Sequence, residues 1–206
     1  MKFYARRWNG AIPMGVLCKA VSYAQQMLRN AIKPGFFAVD ATAGNGHDTE
    51  FLARMVGPTG RVFAFDIQKN ALEKTRERLA KGNLLEQVTF CHAGHEFMRD
   101  WVDVPIQAVM FNLGYLPGAD HEVITKPQTT VTALGQASEL LSPGGLITVV
   151  IYPGHPGGQA EREAVEGFTV SLPQRQYTVI RYEILNQVNN PPLMLAIEKL
   201  DRVGES

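Results

Sequence analysis

The sequence feature that most constrains the fold is a short apolar run that ends in an acid and enters a turn rich in glycine. Residues 36–49 read FFAVDATAGNGHDT. The apolar run has the length of a buried strand, Asp40 closes it, and Gly44 and Gly46 let the backbone turn without a Cβ in the way. Apolar residues then recur at helical spacing over residues 51–55. This order brings the first N–H groups of a helix to the turn, where they can bind a polar ligand group.

A second acid follows at the spacing of a nucleotide-binding fold. Residues 61–65 form a second predicted strand, and Asp66 ends it about twenty residues beyond the glycine turn. In dinucleotide-type folds an acid at this place accepts hydrogen bonds from ribose hydroxyls. A surface turn and a solvated strand end are the alternative interpretation, because Gly-x-Gly is frequent in turns. The order of strand, turn, helix, strand and acid favours a cofactor that contains a ribose.

The residues after the turn indicate which cofactor this is. The dinucleotide fingerprint requires Gly or Ala three residues after the second glycine, and this chain has Thr49 there. NAD and FAD are therefore disfavoured. S-adenosylmethionine also presents a ribose but carries no pyrophosphate, so its amino-acid end suits an acid-bearing loop better than a phosphate cradle would. We therefore expect S-adenosylmethionine as the cofactor.

Composition limits the classes of fold and partner. The 206 residues are 45% hydrophobic and 19% charged, which predicts one globular domain over residues 1–206, with residues 1–14 as an N-terminal extension. Lys plus Arg and Asp plus Glu both total 20, so an RNA partner would be held by a local patch and not by an overall basic field. No apolar run is long enough to span a membrane. We expect no membrane partner.

Cysteine and histidine usage gives two further expectations. Cys18 and Cys91 are far apart and form no Cys-x-x-Cys motif, which favours reduced thiols in a cytoplasmic protein. His92 and His95 are the only closely spaced histidines and have no second ligand cluster, so we expect no metal.

Hydrophobic periodicity predicts alternating strands and helices. The predicted strands are residues 36–39, 61–65, 87–91, 106–111, 146–152, 177–185 and 193–200, and the predicted helices are residues 15–31, the segment after the glycine turn, and residues 70–79, 128–141 and 159–166. The last two strands are separated only by residues 186–192, which suits an antiparallel hairpin and excludes a helical crossover. We therefore expect an α/β fold: a mostly parallel seven-stranded sheet with an antiparallel C-terminal strand and helices on both faces. This arrangement resembles the Rossmann-like fold of class I methyltransferases.

The fourth predicted strand leads into a second motif, Asn112-Leu-Gly-Tyr115. Amino-group methyltransferases carry an Asn or Asp, two small or apolar residues and an aromatic residue at this place. An attacking nitrogen must present its lone pair in line with the methyl group, and acceptors for its N–H groups fix that direction. The Asn112 side chain and the Leu113 carbonyl can supply these acceptors, and Tyr115 can pack on a planar base. A polar turn with a buried Tyr is the alternative.

Two histidines follow other strand ends. In Rossmann-like methyltransferases the loop after the third strand lies against the adenine, which makes Gly94 and His95 candidates for that contact. The loop YPGHPGG over residues 152–158 contains His155, at the end of a strand where open α/β sheets bind their ligands. His155 is a candidate substrate contact or proton acceptor. A structural loop histidine is the alternative for each.

Five segments together resemble one family. They are DATAGNGHDT at residues 40–49, FDIQ at 65–68, GHE at 94–96, FNLGYLPG at 111–118 and YPGHPGG at 152–158. They are similar to the MnmM family of tRNA 5-(aminomethyl)-2-thiouridine methyltransferases, also described as rRNA methylases, from about residue 15 to residue 199. The resemblance implies methylation by S-adenosylmethionine of 5-aminomethyl-(2-thio)uridine at the tRNA wobble position, giving the 5-methylaminomethyl nucleoside. The implied partner is the anticodon loop of tRNA.

The resemblance also implies roles for individual residues. It places Asn45, Asp66 and Gln68 on the cofactor and Gly94 and His95 on its adenine side. The expected catalytic residues are Asn112, Tyr115 and His155. Together with the loop residues, the expected cofactor-binding set is Asp40, Gly44, Asn45, Gly46, His47, Asp48, Thr49, Asp66, Ile67, Gln68, Gly94, His95, Asn112 and Leu113. His47 stands where some members have Asn, and Gly94 where some have Ser.

Other functions share many of these features. A methyltransferase of a small-molecule amine would use the same cofactor site, and a methyltransferase of rRNA is a second alternative. A noncatalytic module that binds S-adenosylmethionine or RNA would show no methyl transfer. A homodimer is a further hypothesis.

Overall fold

The computed structural model describes residues 19–114, 125–154, 156–188 and 190–201. Tyr115, His155 and residues 1–14 lie outside the described residues. The strands are β1 Phe37–Asp40, β2 Arg61–Phe65, β3 Val88–Cys91, β4 Ile106–Asn112, β5 Leu141–Ile151, β6 Tyr177–Tyr182 and β7 Leu193–Lys199. The helices are α1 Ala20–Ala31, α2 His47–Val56, α3 Lys69–Lys81, α4 Met98–Trp101, α5 Pro127–Leu140 and α6 Gly158–Ser171.

All seven strands form one sheet in the order β3-β2-β1-β4-β5-β7-β6. Strands β1 to β5 pair in parallel, and β7 pairs antiparallel with both β5 and β6. The predicted sheet, with its antiparallel C-terminal strand, is confirmed. The order reverses at β1, which lies between β2 and β4, and open α/β sheets bind ligands at the carboxyl ends of strands beside such a reversal.

Helices cover both faces of the sheet, as the sequence predicts. Because successive strand residues point to opposite faces, Ala38 and Val39 of β1 belong to different cores. One core joins the sheet to α1, α2 and α3, and the other joins it to α4, α5 and α6. Strands buried on both faces read as continuous apolar runs, which is why β1 and β4 are recognisable in the sequence.

The start of β5 and the end of α6 each differ from the prediction by five residues. Strand β5 begins at Leu141, five residues before the predicted start, because Leu141 already pairs with Ile106 while Leu146 pairs with Ala108. The intervening Ser-Pro-Gly-Gly forms a bulge inside the strand, although the prediction placed these four residues outside both the helix and the strand. Helix α6 continues to Ser171, well beyond the predicted residue 166, since its buried face continues as far as Thr169.

Smaller differences concern the ends of other elements. Strand β6 ends at Tyr182 and not at residue 185. A short turn of 3-10 helix at His95–Phe97 and the four-residue helix α4 follow β3, and both are too short to produce a periodic pattern. Within the described ranges, no helix has the length and apolar character that crossing a bilayer requires.

Candidate active site

A cavity of about 460 Å³ opens at the carboxyl ends of β1, β2 and β4. This is the edge at which the strand order reverses, so the fold places the cavity where ligands of such sheets bind. Most of the cofactor-binding residues expected from the sequence line it: Gly44, Asn45, His47, Asp48, Asp66, Ile67, Gln68, Gly94, His95, Asn112 and Leu113.

Asp40 and Thr49 lie beneath the cavity and are not among the residues that line it. The Asp40 carboxylate is fully buried and accepts hydrogen bonds from the Thr49 hydroxyl at 2.6 Å and from the Thr42 N–H at 3.1 Å. Burial, with the nearby Asp48 charge as the second cause, raises the pKa of Asp40 to about 7. In this structure Asp40 joins β1 to the start of α2 from below.

Gly46 also supports the turn from outside the cavity. Its φ is +78°, and a Cβ at this position would come within 2.8 Å of the Thr75 Cα in α3. The glycine therefore allows close approach between the turn and α3. On the same side, the Thr75 hydroxyl donates to the Gly44 carbonyl at 3.1 Å, and the Arg78 Nε donates to the Asn45 carbonyl at 2.7 Å. The turn is thus held firmly against α3.

Asp66 connects the glycine turn to the loop after β2. One carboxylate oxygen accepts from the Gly44 N–H at 2.9 Å, and the other accepts from the Gln68 N–H at 2.8 Å. Burial raises the pKa of Asp66 despite these hydrogen bonds. Each carboxylate oxygen has a second lone pair, so the side chain can still accept from the hydroxyls of a ribose.

His95 supplies a buried acceptor to the cavity. Its Nδ1 lies 3.1 Å from the Ala41 carbonyl, and because a carbonyl only accepts, Nδ1 carries the proton. Burial lowers the pKa of His95, which favours the neutral ring. The Nε2 lone pair then has no hydrogen-bond partner among the described residues, although the atom is buried. A ligand that donates an N–H, such as an exocyclic amine, would satisfy it.

Asn112 presents the second unsatisfied acceptor. Its Nδ2 donates to the Asp48 carboxylate at 3.2 Å, while Gln25 of α1 donates to the other carboxylate oxygen at 2.8 Å. Because a carboxylate accepts and an amide N–H donates, Asp48 fixes which way the Asn112 amide faces. The Asn112 Oδ1 is buried and has no partner in the part of the chain that the structure describes. A buried acceptor of this kind is costly unless a ligand fills it.

Several residues that line the cavity were not predicted from the sequence. Thr125 and Lys126 precede α5, Thr129 lies in its first turn, and Tyr152 follows β5. Burial raises the pKa of Tyr152, and the Asp48 charge acts in the same direction. The strand-end position of Tyr152 is a signal that could have identified it. The three residues near α5 follow a segment without a periodic pattern, so the sequence offers no comparable signal for them.

The charge of the cavity favours a cationic ligand. Asp48, Asp66 and Glu96 line it, and Lys126 is the one Lys or Arg among the described residues that do so. Cationic and N–H-bearing ligands match both this charge and the free acceptors of His95 and Asn112. Within the described ranges, no three His, Cys, Asp or Glu side chains are grouped so as to hold a metal ion.

Comparison with known proteins indicates the family of the chain. A protein-family model described as "Putative rRNA methylase" matches residues 62–198. A chloroplastic protein of Arabidopsis thaliana named tRNA (mnm(5)s(2)U34)-methyltransferase is 38% identical over 191 residues, which is 88% of this chain and 70% of the relative.

Two solved structures are similar over most of the chain. A protein from Clostridium thermocellum, described as an rRNA methylase, is 45% identical with a TM-score of 0.88, covering 90% of this chain and 100% of that one. A protein from Streptococcus mutans, described as a "putative methyltransferase" and crystallised in complex with SAH, is 39% identical with a TM-score of 0.83 and the same coverage. These likenesses confirm the fold class expected from the sequence.

Proposed function

The chain belongs to the rRNA methylase family, and from this membership we propose that it is an S-adenosylmethionine-dependent N-methyltransferase of tRNA. The proposed substrate is 5-aminomethyl-(2-thio)uridine at the wobble position, and the product is its 5-methylaminomethyl form. The name of the Arabidopsis relative, which specifies mnm5s2U34 in tRNA, supports this substrate. The SAH complex of the Streptococcus mutans neighbour supports the cofactor.

The described residues fit S-adenosylmethionine. Asp66 has acceptor capacity for ribose hydroxyls, and the buried Nε2 of His95 needs a donor such as the exocyclic amine of adenine. The acidic lining of the cavity matches a positively charged molecule. When bound, S-adenosylmethionine supplies an electrophilic methyl group on a sulfonium.

The buried side-chain oxygen of Asn112 is the observation that supports the proposal most directly. Its Oδ1 is buried and unpartnered, and Asp48 holds the amide so that this oxygen, and not the NH2 group, is free. A primary amine that donates one N–H to this oxygen has its lone pair directed by the protein. The Leu113 main chain is fixed by its N–H bond to the Val150 carbonyl at 2.8 Å, so its own carbonyl is positioned as a second acceptor.

The amine must also lose its proton. An alkylamine is mostly protonated at neutral pH, and the acidic lining favours capture of this ammonium. At the reaction site, burial and the positive sulfonium of the cofactor would both disfavour the charged form, and so would lower the pKa of the amine against the opposing effect of the acidic lining. We propose that water or His155 accepts the proton, and that Tyr115 packs on the uracil.

The anticodon loop is the part of tRNA that the proposal brings to the cavity. With a formal net charge of zero the chain has no general attraction for RNA, so the contact must be local. Lys126, at the cavity, provides a positive charge where a backbone phosphate would approach. We propose that the reaction takes place in the cytoplasm.

A direct assay tests this function. Purified protein is incubated with S-adenosylmethionine and tRNA that carries the wobble aminomethyl group, and the nucleosides are then analysed by mass spectrometry. We expect aminomethyluridine to gain one methyl group, and we expect no product with the same tRNA lacking the aminomethyl group or with rRNA. Methylation of rRNA, or of the free amine without tRNA, would contradict the proposed substrate.

A further inference from the structure

A buried carboxylate lies behind the cavity wall and has no part in the mechanism above. Glu161, in the first turn of α6, is 1% exposed. One of its carboxylate oxygens accepts from the Thr125 hydroxyl at 2.7 Å, and the other accepts from the Thr130 hydroxyl at 2.8 Å. Burial of a carboxylate costs free energy, and hydrogen bonds such as those from these two hydroxyls reduce that cost. We therefore examined what else these hydroxyls contact.

The Thr125 hydroxyl connects Glu161 to the motif that contains Asn112. It has one hydrogen, which it donates to Glu161, so its oxygen accepts the hydrogen bond from the Gly114 N–H at 3.0 Å. The Thr125 N–H in turn donates to the Gly114 carbonyl at 3.2 Å. This reciprocal pair joins residues 114 and 125. The carboxylate of Glu161 sets the direction in which the Thr125 hydroxyl donates.

Three successive N–H groups hold the chain that carries the proposed acceptors. The Asn112 N–H donates to the Thr42 hydroxyl, and the Leu113 N–H donates to the Val150 carbonyl, both at 2.8 Å. These two partners belong to the turn after β1 and to β5. The third N–H is that of Gly114, whose partner Thr125 is oriented by Glu161. The third anchor therefore depends on a residue that does not itself line the cavity.

We propose that Glu161 is a positioning residue for methyl transfer, which acts through Thr125 and Gly114 on the acceptors of Asn112 and Leu113. The inference rests on the proposed function for its substrate. The hydrogen bonds of the Glu161 carboxylate come from Thr125 and Thr130, and not from the glycine turn or Asp66, so its loss should alter the transfer step and not the binding of S-adenosylmethionine.

A matched pair of variants separates positioning from simple structural support. Thr125→Val and Thr130→Val each remove one hydroxyl that donates to Glu161, but only the first removes the acceptor of the Gly114 N–H. We expect Thr125→Val to lower kcat on the order of tenfold or more. We expect Thr130→Val to keep kcat within about threefold, and both to keep the Kd for S-adenosylmethionine within about threefold. Equal kcat in the two variants would overturn the inference.

Amide hydrogen exchange gives a readout that does not depend on activity. We expect the Gly114 N–H to exchange faster in Thr125→Val than in the unaltered protein and to keep its protection in Thr130→Val. Unchanged Gly114 exchange in Thr125→Val would overturn the inference. Absence of methyl transfer by the unaltered protein would contradict the proposed function instead, and the exchange measurement would still test the anchor.

Conservative replacement completes the test. In Glu161→Gln the amide oxygen can still accept from Thr125, while the NH2 group can donate to the Thr130 oxygen. We expect this variant to retain kcat within about threefold, and Glu161→Ala to lose on the order of tenfold or more. A loss in Glu161→Gln as large as that in Glu161→Ala would contradict positioning through the hydrogen-bond chain.

Discussion

The Nδ2 of Asn112 donates a hydrogen bond to the carboxylate of Asp48 at 3.2 Å. The two residues are 64 positions apart, and one follows the glycine turn while the other ends β4. Their contact decides that the amide oxygen of Asn112, and not its NH2 group, is the group left without a partner. The acceptor that the proposed reaction needs is therefore held in place before a substrate arrives.

The first prediction tests that orientation. Asp48→Asn allows an NH2 group to face Asn112, so the amide of Asn112 is no longer forced to keep its oxygen free. We expect kcat for tRNA to fall on the order of tenfold. This is the effect of losing one hydrogen bond that contributes about 1.4 kcal/mol to the transfer step.

A double-mutant cycle provides the control for this prediction. If Asp48 acts through Asn112, Asp48→Asn should cause little further loss of kcat in the Asn112→Ala background. Additive losses would show that the two side chains act separately. Gln25→Ala leaves the Asp48–Asn112 pair intact and should have a smaller effect than Asp48→Asn.

The second prediction concerns the close approach of the glycine turn to α3. Gly46→Ala places a Cβ within 2.8 Å of the Thr75 Cα in a backbone conformation with φ of +78°. We expect the free energy of unfolding, measured with urea, to fall by about 1–3 kcal/mol. Gly135→Ala is the matched control, since a Cβ there meets nothing within 4 Å in α5. It should stabilise the protein by about 0.5–1 kcal/mol. Equal effects of the two changes would contradict the packing described here.

The third prediction concerns the pH dependence of stability. The pKa of Asp40 is about 7 in the folded chain, compared with 3.8 as its ordinary value, with burial as the main cause. Between these two values the folded state binds more protons at Asp40 than the unfolded state does. The contribution of Asp40 to the free energy of unfolding therefore falls as the pH rises from about 4 to about 7, by at most about 1.4 kcal/mol per pH unit.

Asp40→Asn removes this contribution, so the difference between the two unfolding free energies should change across that window. Urea unfolding at several pH values between 4 and 8 measures it, and the subtraction cancels the opposite contribution of His95, whose pKa is lowered by burial. Asp103→Asn, at an exposed acid, is the control. Parallel curves for Asp40→Asn and the unaltered protein would contradict a raised pKa at Asp40.

Much of the fold could be predicted because its signals are local. Each signal is confined to a few consecutive residues. These signals are the apolar runs of β1 and β4, the glycines before α2 and the short connection before β7. The start of β5 could not be predicted in this way, since Pro143, Gly144 and Gly145 interrupt the apolar pattern and are characteristic of a turn. Pairing with β4 keeps this segment in the strand, and pairing partners are not visible in the sequence.

The site shows the same division between local and distant signals. Asn112, Asp66 and the glycine turn follow strands, so their place at the cavity could be inferred from position. The contact of Asp48 with Asn112 could not be inferred, because nothing local connects them. Glu161 has a weak signal that was missed: it shares one face of α6 with buried Val165 and Thr169, although a charged residue in a polar helix usually faces water.

The most direct test of the central claim is the rate of a single turnover in Asn112→Ala, measured with saturating S-adenosylmethionine and tRNA that carries the wobble aminomethyl group. Since the variant lacks the buried acceptor for the amine, we predict a fall in rate on the order of a hundredfold. We predict a Kd for S-adenosylmethionine within about threefold of that of the unaltered protein. An unchanged rate at saturation with a weakened Kd would contradict the claim and assign Asn112 to cofactor binding alone.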